Sequence, residues 1–287
     1  MTDMQYEAPG SLKAAVALLS GAKGSAKILA GGTDLLVQMR ADMISPKLIV
    51  DIKNISEMRS IKSDKNGFRI GAAVTGAEIM EHAGLRKAWP GVTEAAEKIG
   101  SIQVKGRATL GGNLCNASPA ADSVPALMAA GAKAKVIGPK GRRTVGVDKI
   151  ATGPGKTSLK KGEIVVSISL PKRPANSGDA YMRFTPRTEM DIAVVGVGIN
   201  MTVTRSGVIK AAKVALGAVA AQALLVPAAA KVLIGTKLDK DALNALAAAA
   251  SAACRPIDDK RGTKEYRIKV AGVLAQRVAK LAYKRAC

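Results

Sequence analysis

The sequence is short of aromatics and almost without histidine. It has one Trp, four Tyr and two Phe in 287 residues, so a core must be built from Ala, Val, Ile and Leu. The same scarcity removes the stacking platforms on which single-stranded nucleic-acid binders depend. His82 is the lone histidine and falls at the end of an expected surface helix, which gives catalytic triads and histidine metal sites little support. Cys115, Cys254 and Cys287 have no paired spacing, make no zinc signature and cannot fill a four-cysteine cluster site. No apolar run is long enough to span a bilayer, and the start MTDMQYEAPG has no charged-then-apolar leader. A soluble protein of a reducing cytoplasm is the expectation.

Positive charge, by contrast, is abundant: the formal net charge is +22. Three explanations stay open, namely a nucleic-acid binder, a subunit that docks on acidic partners, and a bland basic surface. The first lacks an arginine-rich arm or a recognition-helix motif. The bias peaks in residues 255–287, where ten basic residues face only Asp258, Asp259 and Glu265.

Along the chain, Ser11 can cap a helix reaching Leu19. KILAG (27–31) and KLIVDI (47–52) read as buried strands separated by a helix that starts at Thr33 or Asp34, a pattern of parallel pairing. FRIGAAV (68–74) is a further strand, and Thr75 with Glu78 forms a capping-box pattern opening a helix over 76–83. A helix over 91–99 ends at Gly100, and AKAKVIGP (132–139) and EIVVSISLP (163–171) read as strands. PKRPANSGD (171–179) is a proline- and glycine-rich break, placing boundaries that give parts 1–53, 54–172 and 173–287. Beyond it, three strand-like segments, the last two joined as a hairpin, precede helices over 238–254 and about 264–284. The fold class is α+β, with a C-terminal three-stranded antiparallel sheet covered by helices.

Two glycine pairs carry the chemistry. In ILAGGTDLL, Gly31 and Gly32 follow a strand and precede a helix, so amides of residues 31–35 can face an anion. TLGGN (109–113) repeats the device, followed by NASPAAD (116–122) with Ser118 as a cap, Pro119 at the first helical position and Asp122 in the first turn. Either pair alone also fits a tight turn with no ligand; together they can grip a long molecule with two phosphates. No GxGxxG with a trailing acidic residue follows the first strand, so a Rossmann site is unsupported. GPGKTS (153–158) is a P-loop decoy, because Ile150 stands where the motif needs glycine. A bound cofactor with its own redox chemistry suits this side-chain set better than acid–base catalysis.

With AGGTDLLVQMR, LIVDI, IGAAVTGAEI, IGSIQVKGRATLGGNLCNASPAADSVPAL, DIAVVGVGI and the PIDDKRGTKEYRIKVAGVLAQR tail in that order, the chain resembles the FAD-binding medium subunit of molybdenum hydroxylases, the carbon monoxide dehydrogenase and xanthine dehydrogenase family. The resemblance implies a two-part FAD-binding domain of the vanillyl-alcohol-oxidase/MurB type. It implies a heterotrimer, single or paired as a dimer of heterotrimers, with a molybdopterin-binding large subunit and a small subunit carrying two [2Fe–2S] clusters. This chain would take electrons from those clusters and pass them through FAD to an external acceptor: NAD, a quinone, a carrier protein or oxygen.

By position, the resemblance places Leu29, Ala30, Gly31, Gly32, Thr33, Asp34, Leu35 and Leu36 around the pyrophosphate and ribityl chain, and Thr109, Gly111, Gly112 and Asn113 against the same phosphates. Asp122 would hydrogen-bond toward the adenosine side, and Ile99 and Val165 would line the adenine or ring pocket. Arg183 stands where relatives often carry Lys, near the polar edge of the flavin; a solvated strand end is the alternative for Arg183 and Arg187. The alternatives for the whole chain are a stand-alone MurB-like flavoprotein and a basic nucleic-acid-binding or scaffold protein.

Overall fold

The computed structural model describes residues 4–287; the first three residues of the expected leaderless N-terminus lie outside them. The first part is a three-stranded parallel sheet in the order β1-β3-β2, built from β1 (Gln5–Glu7), α1 (Leu12–Gly21), β2 (Ala26–Leu29), α2 (Leu35–Arg40) and β3 (Leu48–Asp51). Ser11 caps α1 by accepting from the Ala14 amide, and α1 buries Leu12, Ala15 and Leu19 against the sheet. The strand predicted to run through Gly31 stops at Leu29. Its partner β3 reaches only Asp51, so the backbone beyond Leu29 is released from the ladder.

The middle part is a five-stranded antiparallel sheet, β4-β5-β10-β6-β7, with six short helices inserted between its strands. It runs β4 (Ile61–Asp64), β5 (Gly67–Gly71), α3 (Gly76–Glu81), α4 (Ala83–Ala88), α5 (Pro90–Glu97), α6 (Ile102–Lys105), α7 (Leu110–Cys115), α8 (Ser123–Ala129), β6 (Lys133–Gly138), β7 (Gly141–Gly146), the small hairpin β8 (Ala151–Gly153) and β9 (Lys156–Thr157), and β10 (Ile164–Pro171). The capping box of Thr75 and Glu78 is formed, and Arg59 holds Glu78 with both nitrogens. The helix expected over 76–83 breaks at His82, whose Nδ1 accepts from the Leu85 amide at 3.0 Å and starts α4. The histidine therefore serves as a cap.

The C-terminal part is an antiparallel sheet, β11 (Ser177–Phe184), β12 (Val195–Val203), β13 (Ile209–Gly217) and β14 (Leu224–Leu225), followed by α9 (Pro227–Lys231), α10 (Lys240–Ala253) and α11 (Lys264–Ala286). The two-residue β14 adds a fourth strand to the three expected, too short to show as a periodicity. One hydrophobic cluster unites the first two parts, from Leu12 to Leu170, and takes in Ala215 of β13; a second fills the C-terminal part between sheet and helices. Gly178 and Gly198 let α11 and α8 lie directly on the strands; a Cβ at Gly178 would overlap the Ala282 carbonyl oxygen.

Candidate cofactor cleft

Between the first two parts lies a cleft of about 520 Å³, within the range of cofactor sites. One wall is the loop from Ala30 to Leu35; the facing wall is Ala108 to Asn113. The amides of Gly31, Gly32, Thr33, Asp34 and Leu35 donate to no protein acceptor. That of Gly111, at the start of α7, is also free, whereas Leu110 is buried outside the lining beside the Thr75–Thr109 bridge. Gly31 to Thr33 and Leu35 are half-buried and Asp34 exposed, so these helix-start amides and that of Gly111 opposite are open to an acceptor-rich partner. A diphosphate supplies such acceptors.

The two glycine pairs do unequal work. A Cβ on Gly31 would overlap the Arg107 carbonyl oxygen, and one on Gly111 would lie 2.6 Å from Ala72 Cβ. These two glycines let one wall of the cleft pack on its neighbours. Gly32 has φ +79, a backbone conformation that other residues rarely adopt, and Leu29 and Leu36 close around it. Only Gly112 is open: its missing Cβ would meet Thr109 Oγ1 at 3.0 Å and nothing else within 4 Å. TLGGN is also not a second turn. Thr109 caps α7 by accepting from the Gly112 amide at 2.9 Å, and both glycines are helical.

Side chains fix the walls. Lys53 Nζ donates to the Ala30 carbonyl at 3.1 Å and to Asp51 at 2.7 Å, and the Tyr6 hydroxyl donates to the same carboxylate at 2.6 Å. Burial pushes Asp51 up, but its hydrogen bonds from Lys53 and Tyr6 outweigh this and hold it below the usual carboxylate range. Gln38 on α2 reaches Asn116 beyond α7 at 3.1 Å, tying the walls together. Asn113 Oδ1 accepts from the amide and hydroxyl of Ser123, which turns its NH2 group free. Asp34 holds the N-cap position of α2 without a side-chain bond, and desolvation raises its carboxyl above the usual range.

Of the residues expected at the site, Ala30 to Leu35, Ile99, Thr109, Gly111, Gly112, Asn113 and Val165 line the cleft together. Leu29 and Leu36 support Gly32 from outside the lining, and Leu36 is 54 % exposed. Asp122 and Arg183 are not in the lining either. They form a buried ion pair at 2.7 Å, and the Tyr181 hydroxyl donates to the same carboxylate at 2.9 Å. Arg183 is thus not a solvated strand end, whereas Arg187 is exposed beside Asp191. Ser118 caps no helix: its hydroxyl accepts from Ala120 in a turn, and the helix begins later, with Asp122 as its N-cap residue.

Sequence reasoning missed the segment Thr157 to Ile164, which closes one end of the cleft with Lys160, Lys161 and Gly162, and missed Lys27 opposite it. Its signal was the Lys-Lys-Gly turn ahead of a β-branched run. Burial pushes the Cys115 thiol to about 12, so it stays protonated at neutral pH. Among the described residues no cluster of His, Cys, Asp and Glu suits a metal ion, and no helix is long and apolar enough to cross a membrane.

Comparison with known proteins agrees with this geometry. Residues 2–173 match the model of the FAD binding domain in molybdopterin dehydrogenase, and residues 180–282 that of the CO dehydrogenase flavoprotein C-terminal domain. The chain belongs to the FAD-binding subunits of the molybdenum hydroxylases. It is a flavoprotein subunit of oxidoreductase type. It is 33 % identical over 282 residues to the carbon monoxide dehydrogenase medium chain of Hydrogenophaga pseudoflava, covering 98 % of this chain and 97 % of that one. A putative xanthine dehydrogenase FAD-binding subunit of Escherichia coli is 30 % identical over 275 residues, covering 95 % and 94 %. The solved carbon monoxide dehydrogenase of H. pseudoflava superposes with a TM-score of 0.95 at 34 % identity, over 99 % and 98 % of the chains. Quinoline 2-oxidoreductase from Pseudomonas putida 86 does so with 0.90 at 29 %, over 99 % and 98 %.

Proposed function

We propose that the cleft holds FAD and that this chain is the electron-transfer subunit of a molybdenum hydroxylase, working beside a molybdopterin-binding subunit and a [2Fe–2S] subunit. Bound FAD would supply two-electron storage between a one-electron cluster donor and an external acceptor. The observation that carries the reading is the run of free amides at Gly31–Leu35 facing the free Gly111 amide across one cleft. These amides bind the pyrophosphate without a countercharge. Parts 1–53 and 54–172 act as the two lobes of the grip. Gly112 leaves room for a phosphate oxygen close to the helix. The free NH2 of Asn113 donates to the ribityl or phosphate oxygens. Ile99 and Val165 exclude water from an apolar ring of the cofactor.

Asp122 and Arg183, joined to each other at the edge of the C-terminal part, sit one element away from this lining and orient the ring end. A stand-alone flavoprotein would need its own acid or base. The carboxylates in the cleft lining are Asp34 and Glu163, and Arg143 already holds Glu163 at 2.7 Å.

The test is reconstitution. Purified chain mixed with FAD should retain a flavin absorbance spectrum through gel filtration, and the chain from its native host should co-purify with iron–sulfur and molybdenum subunits. A chain that stays colourless overturns the cleft assignment. A yellow chain that turns over alone favours the stand-alone reading.

A further inference from the structure

Strand β10 contributes to a second cavity with different residues. Ile164 and Val165 face the cofactor cleft, whereas Val166 and Ser167 line a pocket of about 300 Å³ on the five-stranded sheet. Its other walls are Glu57, Arg69, Lys135, Val136, Arg142, Arg143 and Thr144. A β-bulge between Val165 and Ser167 shifts the register against β6 just there. Bulges commonly re-aim a side chain next to a binding site.

Three observations converge. First, the Ser167 hydroxyl is buried, 1 % exposed for the residue, and has no hydrogen-bond partner. An orphaned hydroxyl at a pocket floor asks for a ligand atom. Second, four cations line the pocket against one carboxylate. Glu57 takes Arg142 at 3.0 Å and Arg69 at 3.6 Å, while Arg143 turns to Glu163 outside the lining; Lys135 has no partner. Third, Glu57 already shows what these groups accept. Arg142 grips both its oxygens, and this hydrogen bonding with the neighbouring charges holds the carboxyl below its usual range. Paired guanidinium donors, a free ammonium and two hydroxyls, Ser167 and Thr144, match a tetrahedral oxyanion.

We infer that this pocket is a phosphate-binding site, separate from the cofactor cleft, in which Arg69, Lys135 and Arg142 surround the anion and Ser167 donates to it from the floor. The phosphate can be free or the terminal group of a soluble phosphorylated small molecule. The net charge of +22 on the chain favours the approach of a small anion.

The experiment is calorimetric titration of the full, FAD-saturated chain with inorganic phosphate, with ADP as a second arm and chloride as the ionic-strength control. Occupied by FAD, the cleft cannot report. Saturable binding at one site is expected, weakened about tenfold in Ser167→Ala and more in Lys135→Gln, because a hydrogen bond or charge contact to an anion is lost. Both variants should keep FAD and unfold at the wild-type temperature. Tighter binding of ADP than phosphate identifies the phosphorylated-molecule source; equal binding identifies free phosphate. Absence of saturation, or equal affinity in wild type and both folded variants, overturns the site.

Discussion

At the residue scale, the four motif glycines separate into packing and access. Gly31 and Gly111 face protein backbone or Ala72, so a methyl there must push neighbouring segments apart. Gly31→Ala should therefore destabilise the chain itself by several kcal/mol, about the cost of overpacking a rigid contact, and lose FAD as a consequence. Gly112→Ala should act the other way. The residue is helical and nearly unobstructed, so alanine should leave the apo chain as stable or add up to about 1 kcal/mol. It should nevertheless weaken FAD, because the methyl enters the space the phosphate uses. Urea unfolding of apo protein and flavin titration, run on both variants, read these outcomes separately. Gly112→Ala with undiminished FAD affinity would remove Gly112 from the phosphate site. The glycine doublets were legible in the sequence, but their division of labour was not. Which atom lies opposite a missing Cβ depends on segments 39 to 76 residues away.

At the element scale, the cleft depends on two short helices that could not stand alone. A six-residue helix is far below the length at which propensity sustains it in water, so α2 and α7 persist through caps and packing. For α7 the cap is Thr109. Thr109→Ala should cost about 1 kcal/mol and release the Gly112 amide; Thr109→Ser should restore both stability and FAD affinity. The wall opposite has no capping side chain and relies on Lys53. Lys53→Met removes the bond to Ala30 and leaves Asp51 without its cation, so FAD should bind more weakly while α7 is untouched. Unchanged affinity would show that the loop holds its shape without the lysine.

Elements fixed by local signals were readable: the parallel pairing of β2 and β3, the Ser11 cap, the Thr75–Glu78 box and the β12–β13 hairpin. Elements decided by partners far along the chain were not. The helix end at His82 follows from a side chain turning back on Leu85, and β14 exists only because β13 offers an edge. The Gly/Lys-rich connection ahead of the 163–171 strand gave no sign of a site, because nothing in its polar composition marks it as cleft lining.

At the scale of the whole molecule, the C-terminal part is joined to the middle part by buried or half-buried ion pairs. Arg285 on α11 pairs with Glu94, and the Arg173–Asp179 pair within the C-terminal part meets the middle part through Arg173 over Trp89 and the Gly91 amide donating to Asp179. The Asp122–Arg183 pair belongs to this seam, and it gives the junction a particular pH response. Burial raises Asp122 to about 6, and the pull of Arg183 and the Tyr181 hydrogen bond only partly offsets this. In the unfolded chain the same carboxyl titrates near 4.

Between those values the folded state binds the proton and the unfolded state does not, so this group's contribution falls as pH rises from about 4 to about 6, by at most about 3 kcal/mol. Asp51, Glu57 and Glu163 are shifted downward and slope the other way, so the wild-type profile alone does not isolate Asp122. Asp122→Asn does. Its amide neither takes up nor loses a proton, so its stability profile lacks the Asp122 contribution. The wild-type advantage over this variant should shrink as pH rises through that window and level off above it. Urea midpoints measured at half-unit steps from pH 4 to pH 8 read that difference. A difference that stays flat would mean Asp122 is ionised throughout, with the seam held by a permanent ion pair.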